Sequence, residues 1–421
     1  MKKTHIFCLW ALISFSFQSC LRDSCKEEFT YSKYTPVYSK IEDIRNSIII
    51  TAPTDIYFPG KIYYKAPFLF INEKDKGIHI FDNSDPSNPV NLSFIQIPGN
   101  RDIAVKGNIL YADCCIDLLS FDISNPANPV LVNTLQNILP NRIYENGFEA
   151  DSSKGIVTSW LKTDTTVISE CTNNQNIFWI ENTAIQFDGT MGETTSNSTG
   201  TQTTGIAGST AQFTISENYL YCLQSGALQL FDISAATSPV FSGDVNMGWN
   251  VETIFPYNEY LFIGSTTGVS IYSNSNPASP EYISTFNHIT SCDPVVVSGN
   301  FAYSTLRSGG PCSGFTNQLD IIDISTISNP TLYKTYTMTY PSGLGIDNNY
   351  LFICDGDDGL KMYDVTDPLN ILLLQTISIE GLNDVIPING LLIVTGQYGI
   401  YQYDYSSGSL VPYSQISILK I

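Results

Sequence analysis

The chain has 421 residues, of which 43% are hydrophobic and only 14% are charged, so it can bury a large core under a mostly uncharged polar surface. Its 20 basic and 40 acidic residues give a net charge of −20, which repels phosphate backbones and excludes nucleic acid as a partner. The 25 Tyr and 22 Phe residues favour β-strands, because aromatic side chains pack well on a pleated surface.

The first 19 residues have the pattern of a secretory signal peptide. Lys2 and Lys3 precede an apolar run at 6–17, which is too short to span a membrane. The sequence Phe17-Gln18-Ser19-Cys20 then resembles the lipobox of bacterial lipoproteins. This resemblance implies a lipid such as palmitate on Cys20 and a position in the cell envelope, at the outer membrane. Secretion after Ser19, without a lipid, is the alternative.

Residues 20–44 are predicted to be a tether between the anchor and the folded part of the chain. An acidic stretch at 23–28 resembles the surface-export signal of Bacteroidetes lipoproteins, and a solvated tether is the alternative. The protein is therefore expected to face either the periplasm or the outside of the cell.

One repeat dominates the sequence from residue 45 to residue 421. In each copy an apolar strand ends in Asp and a Pro-containing turn follows, as at 78–90 and 119–130. Asp82 and Asp122 are 40 residues apart, which is a spacing typical of structural repeats. The clear copies end at Asp82, Asp122, Asp232, Ser273, Asp323, Asp364 and Asp404.

Each copy is predicted to contain four antiparallel strands. In the second copy, apolar segments at 102–105, 109–112, 118–121 and 130–135 are separated by turns rich in Gly, Asn and Pro. A four-stranded unit of about 40 residues that repeats around an axis is the blade of a β-propeller. The Asp that ends the third strand is expected to cap the turn after it, which is a structural role.

The number of blades depends on the 110 residues between Asp122 and Asp232. A degenerate unit at 142–170, with a strand at 156–160, brings the predicted number to eight, and seven is the alternative. A Thr-, Asn-, Ser- and Gly-rich insertion is predicted at about 170–210. Two further segments have strand character and compete for the outer edge of the last blade, namely 45–51 and 409–418.

The motifs at 260–263, 268–272 and 276–280 resemble those of the LVIVD repeat family, and the resemblance extends over about 59–404. It implies an all-β propeller of a kind common among exported bacterial proteins and lipoproteins. It implies no established activity, no catalytic residue and no cofactor.

Charged residues recur where the first strands begin. Arg101 and Arg142 are 41 residues apart, which places them at the same position of the repeat. Asp293 and Asp384 occupy nearly the same position in later copies. The first strands of a propeller line its channel, where concave polar sites form. We therefore expect Arg101, Asp102, Arg142, Asp293 and Asp384 to meet at the channel mouth. There they would contact a small polar or anionic ligand, or a loop of a partner. Ion pairing between blades is the alternative.

Two other groups of residues are weaker candidates. Asp355, Asp357 and Asp358 suggest calcium, but their turn lacks the ligand alternation of an EF-hand loop, and a polar hairpin turn is the alternative. Cys292 and Cys312 lie in one repeat and can pair in an oxidising compartment.

Two classes of function fit these observations. The first is a binding or protein-interaction scaffold at the cell envelope, without a cofactor, whose partner is an envelope or extracellular protein or glycan. The alternative is a hydrolase or lyase that acts on envelope glycans through acidic residues at the channel mouth, and it rests on analogy between folds. No Ser-His-Asp set or phosphate-binding loop supports catalysis.

Overall fold

The computed structural model describes residues 26–139, 148, 150–170, 206–209, 211–224, 226–248, 251–288, 294–308 and 316–419. They belong to two compact units. The described part of the smaller unit is 26–37 with 160–170, where two strands pair, β1 (Lys26–Ser39) and β11 (Ile156–Glu170). Within it, the Ser32 hydroxyl donates a hydrogen bond of 2.7 Å to the Asp164 carboxylate. Residues 26–39 of the predicted tether are thus a strand.

The larger unit begins with helix α1 (Ile41–Asn46) and the short strand β2 (Ile49–Thr51), after which the described residues form seven four-stranded antiparallel blades. Blade 1 contains β3 (Pro59–Lys65), β4 (Phe68–Glu73), β5 (Gly77–Asp82) and β6 (Val90–Gln96). Blade 2 contains β7 (Ile103–Lys106), β8 (Ile109–Cys114), β9 (Asp117–Asp122) and β10 (Val130–Leu135). The short strand β12 (Ile206–Ala207) precedes blade 3, which contains β13 (Phe213–Ser216), β14 (Tyr219–Gln224), β15 (Ala227–Asp232) and β16 (Val240–Asn246).

The remaining four blades follow without another strand between them in the described residues. Blade 4 contains β17 (Val251–Tyr257), β18 (Tyr260–Ser265), β19 (Gly268–Ser273) and β20 (Glu281–Asn287). Blade 5 contains β21 (Val295–Ser298), β22 (Phe301–Leu306), β23 (Gln318–Asp323) and β24 (Thr331–Thr337). Blade 6 contains β25 (Pro341–Asp347), β26 (Tyr350–Asp355), β27 (Leu360–Asp364) and β28 (Leu372–Ile377). Blade 7 contains β29 (Leu382–Ile388), β30 (Leu391–Gly396), β31 (Gly399–Asp404) and β32 (Val411–Ser417).

The core lies between the blades. The second strands are almost wholly buried, as at Leu69, Phe70 and Ile71 in β4, because neighbouring blades cover both faces of each sheet. This explains why these strands are continuous apolar runs rather than alternating ones. The fourth strand is the outer one and is far more exposed.

The turn after each third strand is capped as expected. Asp122 Oδ1 accepts a hydrogen bond of 2.8 Å from the backbone N–H of Ser124, which holds the chain in the turn before β10. Such a contact with the residue two positions later recurs at Asp82, Asp232, Asp323, Asp364 and Asp404.

The predicted number of eight blades is wrong, and the alternative of seven is confirmed. The strand character at 156–160 is real, but that segment belongs to β11 and pairs with β1 rather than forming a blade. Blades 2 and 3 are neighbours in the ring, since Asp102 next to β7 accepts a hydrogen bond from the backbone N–H of Phe213 in β13. The long gap between Asp122 and Asp232 is therefore an insertion between adjacent blades.

The outer edge of the last blade is formed by β32, which pairs with β31. The competing N-terminal segment instead adds β2 to the outer edge of blade 1, where it pairs with β6. The ring closes where Ile56 forms a parallel bridge with Ile418 and the Ser414 hydroxyl donates a hydrogen bond to the Pro86 carbonyl. Among the described residues, no helix is long and apolar enough to cross a membrane.

Candidate functional site

A segment of the chain itself contacts the inner strands of several blades. This crossing segment comprises the described residues 206–209 and 211–213, which lead from the insertion into blade 3. Its β12 pairs with the innermost strand of blade 1, with Ile206 opposite Tyr64. The Ala211 carbonyl then accepts a hydrogen bond of 3.1 Å from the Ile254 N–H of blade 4. The segment therefore connects the inner strands of blades 1 and 4.

Asp102 binds the end of the crossing segment. Its Oδ2 accepts hydrogen bonds from the backbone N–H groups of Gln212 at 2.6 Å and Phe213 at 2.9 Å. The Lys61 ammonium lies 3.2 Å from the same oxygen, and both side chains are buried. Burial raises the pKa of Asp102 to about 6, although Lys61 and the backbone N–H groups act in the opposite direction.

Asp384 binds the crossing segment from blade 7. Its Oδ1 accepts hydrogen bonds from the Ser209 N–H at 3.3 Å and the Ser209 hydroxyl at 3.1 Å. A Cβ on Gly208 would lie 2.1 Å from Asp384 Oδ2, so only glycine allows this close approach. Asp384 therefore holds the middle of the crossing segment, and Asp102 holds its C-terminal end.

A buried polar network positions Asp102. The Asp113 Oδ1 accepts hydrogen bonds from the backbone N–H groups of Arg101 at 2.8 Å and Asp102 at 2.9 Å, and also from the Asn100 side chain. The Asn72 amide of blade 1 donates a 2.7 Å hydrogen bond to Asn100 Oδ1. These buried contacts fix the backbone that enters β7. Asn100 and Asp113 gave no separate signal in the sequence.

The five predicted channel residues thus have different positions. Asp102 and Asp384 are both buried, and both accept hydrogen bonds from the crossing segment. The Arg101 guanidinium is half-exposed and forms a 3.2 Å ion pair with Asp75 of blade 1, in line with the alternative of pairing between blades. Arg142 and Asp293 lie outside the described residues, as do Cys20, Cys292 and Cys312.

The acidic turn of blade 6 holds an ammonium group. Lys361 Nζ lies 2.6 Å from Asp355 Oδ2 and 2.8 Å from Asp358 Oδ2, while Asp357 is exposed. The Thr339 and Tyr340 N–H groups also donate to Asp355. Lys361 supplies the positive charge that a cation would bring, so the contacts agree with a polar hairpin turn. No group of three or more His, Cys, Asp or Glu side chains that would suit a metal occurs in the described part of the chain.

A second surface was not anticipated from the sequence. Large apolar side chains at the start of the outer strands of all seven blades are exposed, and we call them the outer rim. Leu372 is 61% exposed and Leu373 is 47% exposed, which is unusual for adjacent leucines. The members are Val90, Val130, Leu131, Val132, Val240, Phe241, Tyr282, Leu332, Tyr333, Leu372, Leu373, Leu374, Val411 and Tyr413.

A β-bulge recurs at the third residue of every outer strand. In blade 6, Leu373 pairs with Tyr363 and Gln375 pairs with Met362, so Leu374 is the extra residue. Bulges turn side chains outward and protect strand edges from uncontrolled pairing. The equivalent residues in the other blades are Leu92, Val132, Ser242, Ile283, Tyr333 and Tyr413.

Blade 1 shows how an outer edge accepts a further strand. β2 pairs with the half of β6 that follows the bulge, with Ile49 opposite Gln96 and Thr51 opposite Phe94. The chain then continues along the first half of β6, where the Asn91 side chain donates a 3.1 Å hydrogen bond to the Thr54 carbonyl. An extended segment can therefore cover both halves of an outer strand despite the bulge.

The family comparison agrees with the blade pattern. A model of the LVIVD repeat matches residues 65–95, 99–136, 207–247, 291–338 and 342–377. The chain contains LVIVD repeats. The matched LVIVD repeats fall on blades 1, 2, 3, 5 and 6. Blade 4, which contains the motifs at 260–263 and 268–272, has the same four strands but lies outside the matches, as does blade 7.

Solved structures support the fold of the LVIVD-repeat chain. A protein from Lactobacillus plantarum is 11% identical with a TM-score of 0.52, and the match covers 93% of this chain and 97% of that one. The computationally designed Ika8 protein is 10% identical with a TM-score of 0.51, over 87% of this chain and 91% of that one. Likeness at this identity shows the fold alone. Among curated proteins, none matches the sequence.

Proposed function

We propose that the chain is a lipid-anchored protein of the bacterial cell envelope and acts as a scaffold that holds a partner protein on its outer rim. The observation that carries the proposal is the exposure of apolar side chains among the first three residues of all seven outer strands. Exposed apolar surface of this extent is typical of protein-binding sites. In contrast, Asp102 and Asp384 already bind the crossing segment.

The partner contributes an extended segment that adds to an outer strand, as β2 does on blade 1. In such strand addition, backbone hydrogen bonds supply affinity and alternate side chains supply specificity. Apolar residues of the segment would pack on rim side chains such as Leu373 and Leu374. The net charge of −20 favours a segment flanked by basic residues.

The glycan-hydrolysing alternative is less well supported by the contacts. A glycosidase needs two carboxyl groups that face the substrate at a suitable separation. Asp102 and Asp384 are buried and accept hydrogen bonds from the backbone of the crossing segment. Binding of a partner on the outer rim requires no rearrangement of these contacts.

The envelope position rests on the sequence around Cys20. Cells grown with an alkyne analogue of palmitate should label the wild-type chain, and a Cys20→Ala variant should not be labelled. Protease treatment of intact cells would then distinguish the two sides of the outer membrane. Labelling of the Cys20→Ala chain, or recovery of wild type in a soluble unlabelled form, would contradict the anchor.

The rim is tested with a matched pair of substitutions. Leu372 on the rim is 61% exposed, and Leu161 in β11, which is not part of the rim, is 60% exposed. After reversible crosslinking in cells, Leu372→Ser combined with Leu373→Ser should reduce co-isolation of the partner at least tenfold. Leu161→Ser should leave it unchanged. Equal recovery with both variants would contradict a rim-bound partner.

A further inference from the structure

Two adjacent cysteines lie in the turn between β8 and β9 of blade 2. Cys114 is the last residue of β8, and Cys115 begins the turn. Both are free thiols, and both are buried, with exposures of 0% and 2%. Neither cysteine belongs to the residues that carry the scaffold function.

The structure holds the two sulfur atoms close together. Cys114 Sγ lies 3.3 Å and Cys115 Sγ lies 3.6 Å from the same acceptor, the Pro98 carbonyl oxygen. The Cys115 thiol is also in hydrogen-bonding contact with Cys114. Two donors therefore share one acceptor, and both side chains point to the same side of the turn.

The backbone at Cys115 is unusual for this residue type. Its φ is 59°, in the left-handed region, which costs a residue with a Cβ about 1 kcal/mol or more. The other described non-glycine residues with positive φ are Asp75, Asn137, Glu217, Asn258, Asn348 and Asn389, all with polar side chains. Glycine or asparagine would suit this turn better, so turn formation alone does not account for a cysteine here.

We propose that Cys114 and Cys115 are a redox pair that closes to a disulfide between adjacent residues by exchange with an external disulfide. The inference rests on the proposed export of the chain, since disulfides persist in oxidising compartments. One thiolate attacks the external disulfide and releases the first thiolate from it. The second cysteine then attacks the mixed disulfide and releases the other thiolate. Two electrons pass to the external disulfide, and the two protons lost by the cysteines end on the released thiols.

Burial determines when this exchange takes place. The attacking group is the thiolate, and the hydrogen bond with the Cys115 thiol, together with burial, raises the pKa of Cys114. Exchange is therefore slow in the closed ring and faster while the turn is open, before blade 2 packs against its neighbours.

The turn also connects two buried carboxylates. Asp113 precedes Cys114 and holds the backbone of Asp102, while Asp117 follows the turn and binds Arg45 of α1. Closing the disulfide changes the turn between these two anchor points. The oxidation state therefore affects how firmly α1 and the entry to β7 are held.

The test uses the full mature chain refolded in glutathione buffers of increasing oxidised fraction. Samples are quenched with acid, alkylated without prior reduction and then digested. The mass of the peptide that contains Cys114 and Cys115 is measured by mass spectrometry. The expected product is two hydrogen masses lighter than the dithiol and carries no alkyl group. Cys222 and Cys354, which are also buried and free but have no adjacent cysteine, should be found alkylated or joined to glutathione.

Two results would overturn the redox pair. One is a peptide that stays doubly alkylated even in glutathione disulfide, and the other is a bond from either cysteine to a different residue. Cys115→Ser serves as the control, and its remaining Cys114 should form only a mixed disulfide with glutathione. The refolding measurement does not depend on export. If the disulfide forms in the purified chain but the two cysteines are reduced in cells, the proposed envelope position would be contradicted. The proposal that Cys114 and Cys115 form a redox pair would still stand.

Discussion

Asn83 of blade 1 and Gln402 of blade 7 join the two ends of the ring through a reciprocal pair of side-chain hydrogen bonds. Asn83 Nδ2 donates to Gln402 Oε1, and Gln402 Nε2 donates to Asn83 Oδ1, each at 2.8 Å. Both side chains are buried, although the residues are 319 positions apart in sequence. Gln402 lies two residues before the end of the third strand of blade 7. The same position is Ile80 in blade 1 and Ile271 in blade 4, so the polar pair belongs to the contact between the first and the last blade.

This pair predicts a strong coupling at the ring closure. Gln402→Leu should lower the free energy of unfolding by about 2 kcal/mol, because the buried Asn83 amide loses its partner. The double variant Asn83→Leu with Gln402→Leu should recover most of that loss, since neither polar group remains. Urea unfolding of the four proteins of the cycle measures both effects. Additive losses in the double variant would show that the amides are not coupled.

The ion pair between Arg45 and Asp117 attaches α1 to blade 2, so we expect it to contribute to stability. Arg45 Nε and Nη2 donate to the two oxygens of buried Asp117 at 2.7 and 2.9 Å. Arg45→Ala should therefore cost about 2 kcal/mol and accelerate amide hydrogen exchange in α1. Arg101→Ala is the control, because its ion pair with Asp75 is largely exposed and should contribute less than about 0.5 kcal/mol. Equal losses in the two variants would contradict the difference in burial.

The raised pKa of Asp102 predicts a pH dependence of stability. The pKa of Asp102 is about 6 in the folded chain, and its ordinary value is 3.8, so between these pH values the folded chain binds a proton that the unfolded chain does not. The contribution of Asp102 is fully present below about pH 4 and is lost as the pH rises through about 6. The loss is at most roughly 3 kcal/mol.

Urea unfolding of wild type and Asp102→Asn at several pH values measures this contribution. The free energy of wild type relative to the variant should fall between about pH 4 and pH 6 and remain constant at higher pH. A difference that does not change over this range would show that Asp102 titrates near its ordinary value.

From the position of the Lys361 ammonium, we expect that the acidic turn of blade 6 does not bind calcium. Its ammonium already lies between Asp355 and Asp358, and a divalent ion would have to displace it. Calorimetry with calcium should give the same heats for wild type and for Asp357→Ala. A binding heat in wild type that disappears in the variant would establish a calcium site.

Much of the fold follows from local sequence patterns. The strands of blade 2 were predicted within one or two residues, because apolar segments and Asn-Pro turns alternate within 40 residues and pair with their neighbours. The capping role of Asp122 was predicted for the same reason. The blade number was wrong because a strand signal at 156–160 does not identify its partner, which is β1, more than 100 residues away.

The contacts of the candidate site were predictable only in part. Asp102 and Asp384 were singled out from their position in the repeat, and both bind the same segment of the chain. Their hydrogen-bond partners were not singled out, because they include backbone N–H groups of the crossing segment, which almost any residue supplies. The outer rim was also missed, since an apolar outer strand and a buried strand have similar sequences.

The most direct test of the scaffold is photo-crosslinking from the rim in living cells. A benzophenone amino acid is placed at Leu374, at the bulge of blade 6, and in a second protein at Leu161 outside the rim. We predict that position 374 crosslinks to one partner protein, within a short apolar segment flanked by basic residues, and that position 161 does not. Crosslinks only to a second copy of this chain, or equal crosslinking from both positions, would contradict a partner strand bound on the outer rim.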